Sequence, residues 1–67
     1  MKIDNVKLEL AIASREMKLK DLCAEAKVDE TALRNIRQGK RTPRLSTIGR
    51  IAKALNVDVQ DIIQEGD

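Results

Sequence analysis

The sequence contains no histidine, no aromatic residue and a single cysteine, Cys23, and each absence excludes a class of site. One cysteine cannot form an intramolecular disulfide, and without histidine it supplies too few ligands for a zinc site. The usual acid–base and triad arrangements of enzymes also need histidine. Without Phe, Tyr or Trp there is no stacking platform for single-stranded nucleic acid or RNA. We therefore expect neither an enzyme nor a protein with a bound metal or cofactor.

Glycine and long apolar runs are equally scarce. Gly39, Gly49 and Gly66 are isolated from one another, so the chain has no glycine-rich phosphate loop. No apolar run approaches the ~20 residues of a transmembrane helix, and no signal-peptide core is visible. These features favour a reduced, cytoplasmic protein without a membrane partner. With 42% hydrophobic and 36% charged residues, positions 1–67 are expected to form a single small globular domain.

Positive charge is concentrated in the middle of the chain, although the formal net charge is only +2. Residues 34–44 contain five basic residues and no acidic one, namely Arg34, Arg37, Lys40, Arg41 and Arg44. A local positive field of this kind attracts polyanions even when the whole chain is nearly neutral. A solvated basic loop would have the same composition, so the cluster alone leaves both interpretations open.

Helical periodicity dominates the sequence and predicts an all-α fold of five short helices. Asp4, Asp29 and Asp58 are the expected N-caps of the first, third and fifth helices, and Gly39 is expected to end the third. Gly49 lies within the fourth helix, where we expect it to allow the close approach of a neighbouring helix. The predicted helices span residues 5–15, 19–26, 30–37, 45–55 and 59–64.

The apolar residues also predict which faces are buried. Those of the first helix occupy more than one stripe, so we expect this helix to be buried on more than one side. Cys23 is expected to be a small buried hydrophobic residue. In the fifth helix, Val59, Ile62 and Ile63 would either form a dimer surface or close the core of the monomer. The sequence does not distinguish these two arrangements.

The second and third helices form a candidate helix-turn-helix over residues 19–37, with the turn at residues 27–29. The major groove of DNA is about 12 Å wide and admits one helix held in place by a preceding one. With Leu33 and Ile36 facing the core, the polar residues of the third helix point outward or flank the outer face: Glu30, Thr31, Arg34 and Asn35. Arginine can pair with guanine, asparagine with adenine, and glutamate with cytosine.

These segments resemble the phage repressor/Cro-type helix-turn-helix family. The resemblance is strongest in Ile36-Arg-Gln-Gly-Lys, in Pro43 and in Ile51-Ala-Lys-Ala-Leu-Asn-Val, and it covers residues 6–63. It implies a compact, all-α, five-helix phage-repressor-like DNA-binding domain. In such a domain helices 2 and 3 form the helix-turn-helix, and helix 3 enters the major groove.

The resemblance also implies roles for individual residues. The positions that contact bases correspond to Glu30, Thr31, Arg34 and Asn35, with Ala32 placed to contact a thymine methyl group. The positions that contact phosphates lie at the start of helix 2 and in the loop after helix 3. They correspond to Lys18, Lys20, Lys40, Arg41, Thr42 and Arg44.

Three positions depart from the pattern of the family. A glutamine that is common at the start of helix 2 is Leu19 here, which removes one side-chain donor to the DNA backbone. The glycine of the turn is Lys27, which must either adopt a positive φ or reshape the turn. Many members pair an arginine of helix 1 with a glutamate of helix 3. Ile12 and Arg37 occupy those positions, so we expect that ion pair to be absent and Arg37 to be free to reach DNA.

Together these observations predict a sequence-specific double-stranded DNA-binding protein that regulates transcription, with repression favoured over activation. A module this small binds weakly, so we expect a homodimer, at least on DNA, with half-sites about 34 Å apart. The alternative is a protein-interaction module on the same fold, such as an antitoxin or an adaptor. Salt-dependent affinity for duplex DNA separates the two functions.

Overall fold

The structure is a computed structural model that describes residues 2–64. This part of the chain forms four α-helices and one 3-10 turn, so the predicted all-α class is confirmed. The bounds are α1 Asn5–Ser14, α2 Leu19–Ala26, α3 Glu30–Arg37, α4 Leu45–Ala54 and the 3-10 turn Val59–Asp61. The first four helices match the predicted ranges to within one residue at each end.

The fifth helix predicted at residues 59–64 is wrong, because only a single 3-10 turn forms there. Ile62 comes directly after this turn and is fully buried in the core. Ile63 then pairs with Ile3 in an isolated antiparallel bridge. This pairing with the start of the chain holds the segment extended, so the helix does not continue.

Further hydrogen bonds join the two ends of the described chain, in an arrangement that we call the terminal clasp. The N–H of Asp4 donates to the carbonyl of Ile62 at 2.9 Å, and the N–H of Gln64 donates to the carbonyl of Lys2 at 2.9 Å. The Nζ of Lys7 donates to the carbonyl of Ile63 at 3.2 Å. The clasp therefore anchors the start of α1 to the residues after the 3-10 turn.

Two aspartates cap helices as predicted. The carboxylate of Asp4 accepts from the backbone N–H groups of Val6 and Lys7 at 2.9 and 3.0 Å. The carboxylate of Asp29 accepts from the N–H of Thr31 at 3.0 Å and so fixes the start of α3. Because a short isolated helix is unstable in water, these caps complement the tertiary packing that holds each helix.

All four α-helices are followed by a residue in the left-handed conformation. These residues are Glu16, Lys27, Gly39 and Asn56, with φ between 52° and 75°. Each is followed by a backbone bond to the preceding helix, such as the one from the N–H of Lys40 to the carbonyl of Asn35 at 2.9 Å. Gly39 ends α3 as predicted. Lys27 adopts a positive φ, which was one of the two arrangements open to it.

One apolar core holds the helices together. α2 packs against α3 and α4, and the 3-10 turn packs against α4 and α1. The large side chains at its centre are fully buried: Leu8, Leu22, Leu33, Ile48, Ile51, Leu55 and Ile62. Cys23 is buried as expected and is a free thiol. Its burial, together with the nearby carboxylates of Glu30 and Asp29, raises the pKa of this thiol.

Two predictions about helix faces are wrong. α1 buries only Leu8, while Val6 and Leu10 are 69% and 63% exposed, so this helix is not buried on several sides. A Cβ placed on Gly49 would have no neighbouring atom within 4 Å, so no helix approaches closely there. At the C-terminal end, Ile62 lies inside the core and therefore closes the monomer.

Candidate nucleic-acid interface

α3 directs one face to the core and the opposite face outward. Leu33 and Ile36 are buried, which turns Glu30, Thr31 and Arg34 toward solvent, where all three are exposed. Asn35 and Ala32 flank this face and are half-buried, so they are less available to a partner. The structure thus brings three of the four predicted base-contacting residues together on one exposed surface.

The residues predicted to contact phosphates lie at both edges of the unit formed by α2 and α3. All six are exposed: Lys18, Lys20, Lys40, Arg41, Thr42 and Arg44. Leu19, at the start of α2, is half-buried against the core. In the described part of the chain, none of these cations pairs with a carboxylate. Their charges are therefore available to an external anion.

A groove of about 340 Å³ lies between the turn after α2, the start of α3 and the first half of α4. We call it the α3–α4 groove. Its charged lining consists of four cations and one carboxylate: Lys27, Arg41, Arg44, Arg50 and Asp29. The Asp29 carboxylate already accepts the hydrogen bond that caps α3. The groove is therefore positive.

Two of these cations, Lys27 and Arg50, were not among the predicted site residues. Arg50 is exposed, and its Nη2 donates to the hydroxyl of Thr47 at 3.4 Å, one helical turn earlier. The sequence does contain a signal for this contact, because Thr47 and Arg50 are three residues apart in the predicted fourth helix, which follows the basic loop. In the sequence, Lys27 stands out only because it replaces the glycine of the turn. Its position beside Arg50 depends on the packing of α2 against α4.

The expectation that Arg37 is free is wrong. Its Nε donates to Oε2 of Glu9 at 2.9 Å, and its Nη2 donates to Oε1 of the same carboxylate. This ion pair joins α1 to the end of α3 with the two charges in the reverse order from the expected family pair. The hydrogen bond from Arg37 lowers the pKa of Glu9 and raises the pKa of Arg37 itself. The prediction failed because it considered Ile12 and not Glu9, which lies one turn earlier in α1.

Other kinds of site find little support in the described residues. No group of three or more cysteine or acidic side chains between residues 2 and 64 could hold a metal ion. None of the helices in this segment has the length and apolar character needed to cross a membrane. The exposed apolar residues of α1, Val6 and Leu10, line a shallow depression together with Ala13. The positive surface around α3 is therefore the strongest candidate site.

Comparisons with known proteins identify the family of this chain. A family model described as the Cro/C1-type HTH DNA-binding domain matches residues 7–64. The crystal structure of the restriction-modification controller protein C.AhdI from Aeromonas hydrophila is similar, with a TM-score of 0.80 and 18% sequence identity. That similarity covers 85% of this chain and 86% of the other. Comparison with curated protein sequences finds no match. Since the family model covers most of the sequence, the chain belongs to the Cro/C1-type HTH DNA-binding domain family.

Proposed function

We propose that this protein binds double-stranded DNA at specific sequences and regulates transcription, with α2 and α3 as its helix-turn-helix. One observation carries the proposal: α3 presents Glu30, Thr31 and Arg34 on a single exposed face, bordered by cations that have no carboxylate partner among residues 2–64. A polar helix face between unpaired cations fits a major groove with its two flanking phosphate backbones.

In this mechanism the phosphates supply most of the affinity and the base edges select the site. Lys18 and Lys20 contact the backbone at one edge, and the basic loop after α3 contacts it at the other through Lys40, Arg41, Thr42 and Arg44. Arg34 donates to guanine, while Glu30 accepts from the amino group of cytosine. Thr31 and Asn35 complete the base contacts, although the half-buried Asn35 must turn outward to take part.

A regulatory role and a dimeric state belong to the same proposal. The similar solved structure is that of a controller protein, which supports regulation. We infer repression, because a domain that occupies a promoter can block it without further contacts. The described residues extend over 30 × 22 × 19 Å, so two copies side by side fit half-sites about 34 Å apart. Such a homodimer would act in the cytoplasm.

The dependence of DNA affinity on salt tests the proposal. If each subunit neutralises five or six phosphates, a plot of the logarithm of the association constant against log[salt] for a duplex selected from random sequences should have a slope of about −5 per bound subunit, and every slope given below is likewise per subunit. A protein-interaction module such as an antitoxin or adaptor would show no such affinity for duplex DNA. Replacing the exposed Arg15, which lies outside the proposed contacts, with Gln is the matched control and should leave the slope unchanged. Palindromic selected sites would support the homodimer, whereas sites without symmetry would contradict it.

A further inference from the structure

The positive surface does not end at the basic loop. Lys27 and Arg50 line the α3–α4 groove, and they also line a second depression of about 450 Å³ toward the ends of α2 and α4. Lys53 and a single carboxylate, Glu25, border this second depression. A cationic strip therefore runs from Arg41 and Arg44 in the loop, past Arg50 and Lys27, toward the end of α4.

The backbone at Lys27 is unusual for a lysine. Its φ of 56° lies in the left-handed region, where a side chain clashes with the backbone and glycine does not. The Lys27 side chain is exposed and forms no hydrogen bond or ion pair within the described chain. It thus strains the turn without a visible contribution to the fold, and what it provides that glycine would not is a positive charge at the groove. Glu16 and Asn56 have the same left-handed conformation after α1 and α4, so what distinguishes Lys27 is its exposed positive charge at the groove.

Arg50 lines the same groove from α4. Its guanidinium is held by Thr47 and has no carboxylate partner among residues 2–64. The charge of Arg37, in contrast, is already neutralised by Glu9. The positive side chains along one groove repel one another, and a polyanion that binds there relieves this repulsion.

We propose that Lys27 and Arg50 bind phosphates of the DNA backbone and extend the contacts of Arg41 and Arg44 onto α4. The inference rests on the proposed function, because it assigns further contacts to the same DNA. The cations come from three elements that surround an open groove, namely the turn after α2, the basic loop and α4. This arrangement suits successive phosphates of one strand better than a single small anion.

Replacing Lys27 with Gly tests the inference, because a purely structural role of Lys27 predicts a different result. Relief of the left-handed strain should raise the melting temperature by roughly 4–8 °C. Loss of one phosphate contact should weaken DNA binding about 5- to 10-fold near 0.1 M salt and make the salt slope shallower by about 0.9. A structural role would make stability and affinity rise or fall together. A Lys27→Gly variant that is more stable and binds DNA as tightly as the wild type would overturn the role of Lys27.

Replacing Arg50 with Gln keeps a side-chain donor for Thr47 and removes the charge. We expect a slope change of about 0.9 and an equal loss of affinity for the selected site and for unrelated duplexes, since phosphates carry no sequence information. The double variant with Lys27→Gly should change the slope by about 1.8. Arg15→Gln again serves as the control with an unchanged slope.

The outcomes separate this inference from the proposed function. If the wild type shows the steep salt slope but the Arg50 and Lys27 variants share it, the inference fails and the proposed function stands. If an Arg50→Gln loss is confined to particular base pairs, Arg50 reads bases and the phosphate assignment is wrong. If the wild type has no salt-dependent affinity for duplex DNA, both proposals fail.

Discussion

Arg34 lies in the middle of the exposed face of α3, one turn after Glu30 and Thr31. An arginine that donates two hydrogen bonds to guanine discriminates between bases, whereas one that contacts phosphate does not. We predict that Arg34→Ala weakens binding by about 1–3 kcal/mol at sites with guanine in the contacted position and has little effect at others. Titration of the selected site and its single-base variants measures this difference.

Arg44→Ala provides the comparison for that experiment, because Arg44 lies in the basic loop and is assigned to phosphate. Its loss should be similar for every duplex. If Arg34→Ala also weakens all duplexes equally, Arg34 contacts the backbone and the specificity must come from Glu30, Thr31 or Asn35.

The Glu9–Arg37 ion pair makes stability depend on pH. The hydrogen bond from Arg37 lowers the pKa of Glu9 below its usual 4.5, so the pair is fully stabilising above that pH and is lost as the pH falls through the lower folded value. The two side chains are 48% and 35% exposed, which limits the contribution to at most about 1 kcal/mol. Glu9→Gln should therefore lower the free energy of unfolding near pH 7 and should lower it less at a pH well below 4.5, where Glu9 becomes protonated. Urea denaturation at both pH values measures the difference.

A double-mutant cycle with Arg37→Gln isolates the pair from the other effects of each substitution. An equal destabilisation by Glu9→Gln at both pH values would show that the carboxylate charge is not involved. This pair also shows a limit of residue-by-residue transfer from a family pattern. A position-by-position comparison overlooks this pair for two reasons. The acidic residue is in α1 and the arginine in α3, the reverse of the family pair, and Glu9 lies one turn before the compared position, Ile12.

At the scale of elements, α4 contains a glycine that nothing in its surroundings requires. Gly49 lies inside the helix, and a Cβ at this position would meet open space. We predict that Gly49→Ala raises the free energy of unfolding by about 0.5–1 kcal/mol, because alanine restricts the unfolded chain and favours the helix. The midpoint of urea denaturation measures this gain.

Gly39→Ala is the natural counterpart, because Gly39 has a φ of 75° and ends α3. Alanine there should destabilise the protein, since the left-handed conformation disfavours a side chain. A loss of stability on Gly49→Ala would mean that another part of the molecule does approach α4 closely.

The elements that could be predicted from the sequence are those whose ends depend on local interactions. Asp29 caps α3 with its own carboxylate and Gly39 ends it, so both bounds of this helix were found correctly. The 3-10 turn also starts directly after Asp58, as predicted, and the carboxylate of Asp61 accepts a hydrogen bond from the backbone N–H of Asp58 there. The path of the chain after this turn depends instead on Ile63, which pairs with Ile3 near the opposite terminus. No local pattern contains that information, and the predicted fifth helix failed for this reason.

At the scale of the whole molecule, one buried side chain is a large fraction of the total stability. A domain of this length is stable by roughly 3–10 kcal/mol, and truncation of a fully buried isoleucine removes about 2–5 kcal/mol. Ile62 is fully buried, so we predict that Ile62→Ala lowers the free energy of unfolding by that amount, independently of protein concentration. Urea denaturation at two widely separated protein concentrations measures both properties.

Leu10→Ala is the matched control, because Leu10 is 63% exposed and its truncation should change stability by less than about 0.5 kcal/mol. A concentration-dependent effect of Ile62→Ala would place Ile62 in a dimer interface. The sequence left these two arrangements open because both bury the same apolar side chain. The α3–α4 groove was beyond sequence reasoning for a related cause, since the packing of α2 against α4 brings Lys27 and Arg50 together.

The terminal clasp determines where anything attached to this domain would emerge. Lys2 and Gln64 are neighbours in space, and together with Arg41 and Pro43 they line a pocket of about 240 Å³ beside the basic loop. A purification tag or fused domain continuing from either residue would therefore start next to the loop. A bulky partner fused directly to Lys2 or Gln64 should obstruct the same surface, whereas an insertion at the exposed Asn56, between α4 and the 3-10 turn and outside the proposed contacts, should leave it uncovered.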